Sequence, residues 1–212
     1  MKRISILVLL VLVATGAFAQ EISMSAGGGL LFDYNGNNGI EVMSVYAGVR
    51  NLSFGAYGFF DATYVEASLY FAYGSLSDNS DSIAIAMMGG KIPDGSLLQL
   101  GFELLGKYPF DLGGFTLFPL LGISYNLGLS LSGNMSKGSD APSAMDLSQF
   151  GFLLGAGLDY PFSNNLFLRS EILFHIRLAT KAMKDNADDI GSGADATIGM
   201  GPRIKVGVGY KF

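Results

Sequence analysis

His175 is the side chain best suited to acid–base chemistry, and it is the only histidine in the sequence. It lies in segment 166–180, where Arg169, Glu171, His175 and Arg177 share one parity. A histidine that activates a serine needs a nucleophile held beside it, and the sequence contains no G-x-S-x-G motif. We therefore expect a neutral or ion-paired interior histidine and no enzymatic activity.

The sequence also lacks residues suited to binding a metal or a cofactor. Cysteine is absent and there is one histidine, which argues against a zinc site. The acidic residues of segment 181–197 could offer oxygen ligands to calcium, but their spacing lacks the D-x-D-x-D-G pattern. No metal and no cofactor is expected.

Charged side chains recur at alternate positions of otherwise apolar segments. A period of two places alternate residues on one face of a β-strand. This alternation predicts one interior face that carries Glu66, Glu103, Lys107, Asp159, Arg169, Glu171, His175, Arg177, Arg203 and Lys205. Opposite charges enclosed together should form ion pairs, because unpaired buried charges are costly.

The elements that must position these charges are amphipathic strands, and segment 199–212 shows the pattern most clearly. Its apolar residues fall on one parity, whereas Arg203 and Lys205 fall on the other. The apolar face ends with Tyr210 and Phe212. A barrel whose outer face contacts lipid carries aromatic residues at the membrane interface, so this strand favours a transmembrane barrel.

The same alternation predicts an all-β fold, an eight-stranded antiparallel up-and-down transmembrane β-barrel. The predicted strands are 22–34, a second strand ending at 54–60, 63–74, 98–110, 115–131, 150–160, 166–180 and 199–212. Long connections are expected at 35–39, 75–82, 132–145 and 181–197, with tight turns between the other strands. Ten strands remain an alternative if residues 51–53 form a turn.

Composition agrees with a barrel. The chain is 50% hydrophobic with 30 glycines, yet after the first segment no apolar run approaches the ~20 residues of a membrane helix. A net charge of −5 argues against nucleic acid as a partner. We expect residues 21–212 to form a single domain.

The first twenty residues predict export. Lys2 and Arg3 precede a short apolar run, and Ala17-Phe18-Ala19 fits a cleavage site. This is the pattern of a cleaved secretory signal peptide covering residues 1–20. The apolar run is too short for the alternative, an uncleaved membrane anchor.

These features together resemble small bacterial outer-membrane barrels of the OmpA-like, OmpX-like and OmpW-like kind. Segment 58–66 is similar to a recurring hairpin of spirochaete-type outer-membrane barrels. The aromatic end at Tyr210 and Phe212 resembles the C-terminal signal that barrel-assembly machinery reads. The resemblance implies a Gram-negative-type envelope, outer-membrane lipid around the barrel and loops at the cell surface. It implies no functional residue.

Three functions follow as hypotheses. In the first, the charged interior is closed and the protein has a structural or surface-interaction role, with an extracellular ligand contacted through its loops. In the second, the charges line a narrow porin-like channel for small polar or hydrophobic solutes. In the third, a soluble barrel binds an apolar ligand, which requires the apolar face of strand 115–131 to point inward.

Overall fold

The structure is a computed structural model of the chain. It describes residues 23–42, 44–88, 92, 94–134, 142–191 and 193–212. The expected signal peptide, residues 1–20, lies outside the described residues.

Eight long strands dominate the described part of the chain, with two short strands and three short helical segments between them. The strands are β1 (Met24–Val42), β2 (Val45–Ala62), β3 (Val65–Asp78), β4 (Gly95–Lys107), β5 (Phe110–Asp111), β6 (Thr116–Gly133), β7 (Gln149–Pro161), β8 (Leu166–Arg177), β9 (Ala194–Ala196) and β10 (Gly199–Lys211). The helices are α1 (Ser82–Met88) and α2 (Lys181–Ile190), and a 3-10 helix spans Ala144–Leu147.

The long strands form a closed antiparallel ring. Each pairs with its neighbour along the chain, and β1 also pairs with β10. Gly28 of β1 therefore lies opposite both Gly58 of β2 and Val208 of β10. The short strands only lengthen neighbouring ladders, β5 beside β6 and β9 beside β1. The predicted eight-stranded barrel is confirmed.

Two predictions about the first hairpin are wrong. Residues 35–39 belong to β1 and not to a loop, and residues 51–53 lie inside β2, which removes the ten-strand alternative. The register shifts between Asn35 and Asn38. Such a bulge lets an Asn- and Gly-rich stretch stay in the ladder, although its composition is that of a turn.

The three other predicted loops are also partly ordered. In segment 132–145, β6 continues to Gly133 and the 3-10 helix begins at Ala144. β3 continues to Asp78, so residues 75–78 are strand. Helix α1 follows at residues 82–88, and α2 and β9 occupy most of segment 181–197. Cross-strand pairing and helix capping fix these polar stretches; for example, the Thr180 hydroxyl accepts a hydrogen bond from the Met183 amide at the start of α2.

The outward face of the ring is apolar and bounded by aromatic side chains at two levels. Toward the long loops the exposed aromatic residues include Tyr34, Phe54, Tyr73, Tyr125 and Phe150, with Phe54 opposite Tyr73 and Tyr125 opposite Phe150. Toward the short turns they include Tyr108, Phe110, Phe115, Tyr160, Phe162, Tyr210 and Phe212, and Phe32, Phe71, Phe102, Phe152 and Phe174 are also exposed between these groups. On β1 the outward residues Met24 and Tyr34 lie ten positions apart. At a rise of about 3.3 Å per residue and a tilt of about 45°, this spans ~23 Å, close to the ~25 Å apolar band of membrane barrels.

The predicted outward face of β6 also points away from the interior. Leu121 is 66% exposed and Ile123 is 41% exposed, whereas Phe118 and Leu120 are buried. The soluble-barrel hypothesis required the opposite orientation, so it is wrong. Among the described residues, no helix has the length and hydropathy needed to cross a membrane.

Inside the ring, glycines make room for aromatic side chains of adjacent strands. A Cβ added to Gly101 of β4 would lie 2.0 Å from the Tyr70 ring. Tyr70 cannot retreat freely, because its hydroxyl donates to Asn126 and accepts from Arg203. The glycine at position 101 is therefore a packing requirement.

We expect Gly101→Ala to reduce the free energy of unfolding by about 1–3 kcal/mol through overpacking. The matched control is Gly58→Ala on the outward face, where only the Gly27 carbonyl lies within 4 Å of the added Cβ, at 3.6 Å. That variant should be near neutral. Urea unfolding of both refolded proteins measures the difference, and equal stabilities would contradict the packing argument.

Candidate functional site: the interior charge network

The ten titratable residues singled out in the sequence all project into the ring. Eight are buried, and Lys107 and Asp159 are half-buried at the end of the barrel where Met24 and Lys211 lie. Alternation along β3, β4, β7, β8 and β10 places them there, since their neighbours on either side are exposed apolar residues for most of each strand.

Sequence reasoning missed two carboxylates of this network, Asp33 and Asp61, which are 2% and 3% exposed. Asp33 has the inward parity of β1, so the alternation itself could have identified it. Asp61 was assigned to a turn, but β2 extends to Ala62 and the turn follows at residues 63–64.

Arg169 organises the layer nearest the short turns that join β2 to β3 and β7 to β8. Its guanidinium donates to Glu66 and Asp61 at 2.6 Å each and to both carboxylate oxygens of Asp159 at 2.7 and 2.6 Å. Lys107 adds a further ion pair with Asp61. The Phe59 ring lies 4.4 Å from the guanidinium, in cation–π geometry.

Lys205 connects three carboxylates in the middle of the barrel. Its Nζ lies 3.3 Å from Glu66, 3.0 Å from Glu103 and 2.7 Å from Glu171. The ammonium is fully buried, and these carboxylates come from β3, β4 and β8. One side chain therefore ties together three walls of the ring.

Arg203 and Arg177 form the next layer around Asp33. Arg203 donates to Asp33 at 2.9 Å and also pairs with Glu103, while its guanidinium carbon lies 4.7 Å from the centre of the Tyr70 ring. Arg177 also pairs with the carboxylate of Asp33. This layer joins β1 to β4, β8 and β10.

His175 lies between Arg177 and Ser124. Arg177 Nε donates to His175 Nδ1 at 3.1 Å, and His175 Nε2 lies 2.7 Å from the Ser124 hydroxyl. Because Nδ1 accepts, the ring proton of the neutral histidine resides on Nε2 and donates to Ser124. In this arrangement His175 cannot take a proton from the serine.

Above the charges, toward the long loops, the interior residues are mainly uncharged amides. The buried amide side chains are Asn35, Asn38, Asn51, Gln99, Asn126 and Gln149. Gln99 donates to Ser53 at 3.1 Å, and Gln149 donates to Asn38 at 3.2 Å. The charged layers therefore lie at the level of the apolar belt, and an amide layer separates them from the loops.

Six carboxylates and five cationic side chains face one another in this network: Asp33, Asp61, Glu66, Glu103, Asp159 and Glu171 with Lys107, Arg169, Arg177, Arg203 and Lys205. In the part of the chain that the structure describes, no group of three or more His, Asp and Glu residues has a metal-binding arrangement. The arrangement is one of extensive ion pairing across the ring, with one carboxylate more than cations.

Beyond the apolar belt, the ordered outer segments carry their own polar contacts. The Ser143 amide and hydroxyl donate to Asp146 Oδ2 at 3.3 and 2.7 Å. These bonds hold the pKa of Asp146 below its usual range. At the tip of the β1–β2 hairpin, burial raises the pKa of Tyr46 above its ordinary value.

Several solved structures of bacterial proteins are similar to this chain. The attachment invasion locus protein Ail of Yersinia pestis, solved with the heparin analogue sucrose octasulfate, is 13% identical, with 91% of this chain and 100% of that chain covered and a TM-score of 0.44. The N-terminal barrel of Pseudomonas aeruginosa OprF is 16% identical, with 91% and 100% covered and a TM-score of 0.42. Neisserial surface protein A is 12% identical, with 89% and 97% covered and a TM-score of 0.47.

No curated protein has a sequence that matches this chain. The sequence model of one family, described as the outer membrane protein beta-barrel domain, matches residues 5–212. This match spans nearly the whole chain and agrees with the closed ring of strands and its apolar belt. The chain therefore belongs to the outer membrane protein beta-barrel domain family and is a protein of the cell outer membrane.

Proposed function

We propose that this outer-membrane barrel is closed along its axis and serves a structural or surface-interaction role through its extracellular segments. The observation that carries the proposal is the complete burial of Arg169, Arg203 and Lys205, each 0% exposed, across the middle of the ring. A water-filled path would give these side chains some exposure. The interior of an eight-stranded barrel is just wide enough for side chains to fill it.

The interior also contains two apolar clusters that support closure. One includes Tyr57, Phe59, Tyr70 and Phe167, and the other includes Phe118. These rings pack against the cations, since Lys107 lies 4.5 Å from the centre of the Phe118 ring. Aromatic rings and neutralised charges together leave little room for a solute to pass.

The outer end offers an ordered surface for a partner. β1 and β2 remain paired up to Val42 and Val45, eight residues beyond Tyr34 on β1. β9 extends this hairpin by pairing with residues 40–42 of β1, and helix α2 begins shortly after the end of β8. Such a rigid projection suits contact with an extracellular ligand better than a mobile loop.

Absence of catalysis is part of the proposal. The Ser124 and His175 side chains are 2% and 1% exposed, so a substrate has no route to them. The proton on Nε2 makes the histidine a donor to the serine, which is the wrong direction for nucleophile activation.

Export and assembly complete the proposal. Residues 1–20 would be removed as a signal peptide after export. The barrel-assembly machinery would then read the terminal aromatic residues Tyr210 and Phe212, whose rings lie 5.6 Å apart in edge contact on the outward face. Replacing Phe212 by serine should slow assembly without changing the interior.

Single-channel recording tests the closed barrel against the porin-like channel. The mature chain is refolded in detergent, its heat-modifiable gel mobility verifies the barrel, and the same sample is added to a planar bilayer. We expect a heat-modifiable protein without steady current. Regular openings whose conductance scales with salt would overturn closure and support the narrow channel.

A further inference from the structure

A cavity of about 570 Å³ opens at the end of the barrel where the short turns and Lys211 lie. We call this cavity the vestibule. Its floor includes Asp61, Asp159 and Lys107, and its walls include Phe115 and Phe167. The floor is the lowest layer of the charge network, so the vestibule ends where the closed interior begins.

The carboxylates of the floor retain capacity for a hydrogen-bond donor. Asp61 accepts from Lys107 and Arg169 through Oδ2 alone. Its Oδ1 is buried and, within the described residues, has no hydrogen-bond partner. A buried carboxylate oxygen without a donor is costly, and a donor supplied by a ligand would remove that cost.

The charge balance indicates which donor fits. The network as a whole contains one more carboxylate than cations. The charged residues that line the vestibule are Asp61, Asp111 and Asp159 with Lys107 and Lys211, and Arg169 lies beneath the floor, where it pairs with Asp61 and Asp159. Among the described residues no metal-binding group occurs here. A primary ammonium carries one positive charge and three donors, which matches both the excess charge and the acceptors.

The remaining lining suits a short aliphatic chain attached to that ammonium. Pro109, Phe115, Pro161 and Phe167 provide apolar wall, and the hydroxyls of Ser25 and Thr63 are further acceptors. Contact with this apolar surface stabilises the methylene groups of the ligand while its charged end is hydrogen-bonded. Lys107 repels the ligand only weakly, because its ammonium is paired with Asp61.

We propose that the vestibule binds the primary ammonium group of an aliphatic amine, with Asp61 Oδ1 as its acceptor at the floor. The ligand is either a free diamine or a lysine-type side chain of a peptide on the periplasmic side. This site lies at the opposite end from the surface segments and does not depend on their role.

Isothermal titration of the refolded full-length mature barrel with 1,5-diaminopentane tests the site. We expect saturable binding, and no heat from 1,5-pentanediol, which has the same chain without charge. Nα-acetyl-lysine methylamide distinguishes the two sources: binding as tight as that of the diamine assigns a peptide side chain, and at least tenfold weaker binding assigns a free amine.

Two variants place the ligand. Asp61→Asn should weaken diaminopentane binding at least tenfold, because a charge-assisted bond is lost. Ser25→Leu narrows the vestibule without removing an ion pair and should weaken diaminopentane binding to a similar extent. The proposal can therefore still be tested if Asp61→Asn fails to fold. Asp185→Asn on the exposed surface of α2 is the control and should bind normally. Absence of binding to the wild type, or unchanged affinity in a folded vestibule variant, would overturn the proposal.

Discussion

Replacing Arg203 by methionine is expected to destabilise the barrel by about 3–5 kcal/mol, the cost of breaking a buried ion pair by removing one partner. Methionine keeps the length of the side chain but removes the charge. Arg203 donates to Asp33 at 2.9 Å, to the Tyr70 hydroxyl at 3.0 Å and also to Glu103. All three partners are at most 4% exposed, so water cannot replace the lost donors.

The matched control for Arg203→Met is Arg50→Met. Arg50 is exposed on the outward side of β2 and donates to Ser77 at 2.8 Å. Its loss should change stability by about 0.5 kcal/mol or less. Urea unfolding in lipid vesicles, followed by gel mobility, measures both variants. A cost below about 1 kcal/mol for Arg203→Met would show that the interior charges are hydrated.

Replacing Ile172 by arginine should cost about 2–4 kcal/mol, because it places a charge on the lipid-facing side near the middle of the bilayer. Ile172 lies at the centre of β8 and is 63% exposed. An exposed position of this kind would tolerate arginine in a soluble protein. The predicted cost therefore measures contact with lipid and not packing.

Ile190→Arg provides the comparison for Ile172→Arg. Ile190 ends α2 outside the apolar belt and has nearly the same exposure, 58%. In vesicles, we expect this substitution to be within about 0.5 kcal/mol of the wild type. Equal costs for the two arginines would contradict the assignment of the outward face of β8 to the bilayer.

The alternation of polar and apolar residues indicated which face of a strand a side chain lies on, but it did not predict how long each strand is. The ten titratable residues named from the sequence share the inward face because period two is a local property of each strand. The Asn- and Gly-rich stretch at residues 35–39 has turn composition, yet it continues β1 because β2 offers a partner as far as Val45. Ladder pairing overrides local preference there, and a single sequence carries little information about it.

The pairs within the network depend on strand stagger, which parity does not specify. Arg203 and Glu103 are 100 residues apart, and Lys205 meets Glu66 from 139 residues away. Whether two inward residues meet depends on how far adjacent strands are shifted along the barrel axis. Parity therefore indicated the inward side of the ten residues named from the sequence but did not bring out Asp33 or Asp61, and the partner of each charge came only from the closed ring.

Cysteine accessibility of the interior is the most direct test of a closed barrel, and the chain has no native cysteine to interfere. Ser124→Cys places a thiol in the 2%-exposed interior of β6, and Ser130→Cys places one at an exposed position of the same strand. Both refolded variants are treated with a small, membrane-impermeant methanethiosulfonate reagent. We predict that Cys at position 130 reacts rapidly and Cys at position 124 stays unmodified. Equal rates would contradict the closed interior and show that water reaches the centre of the barrel.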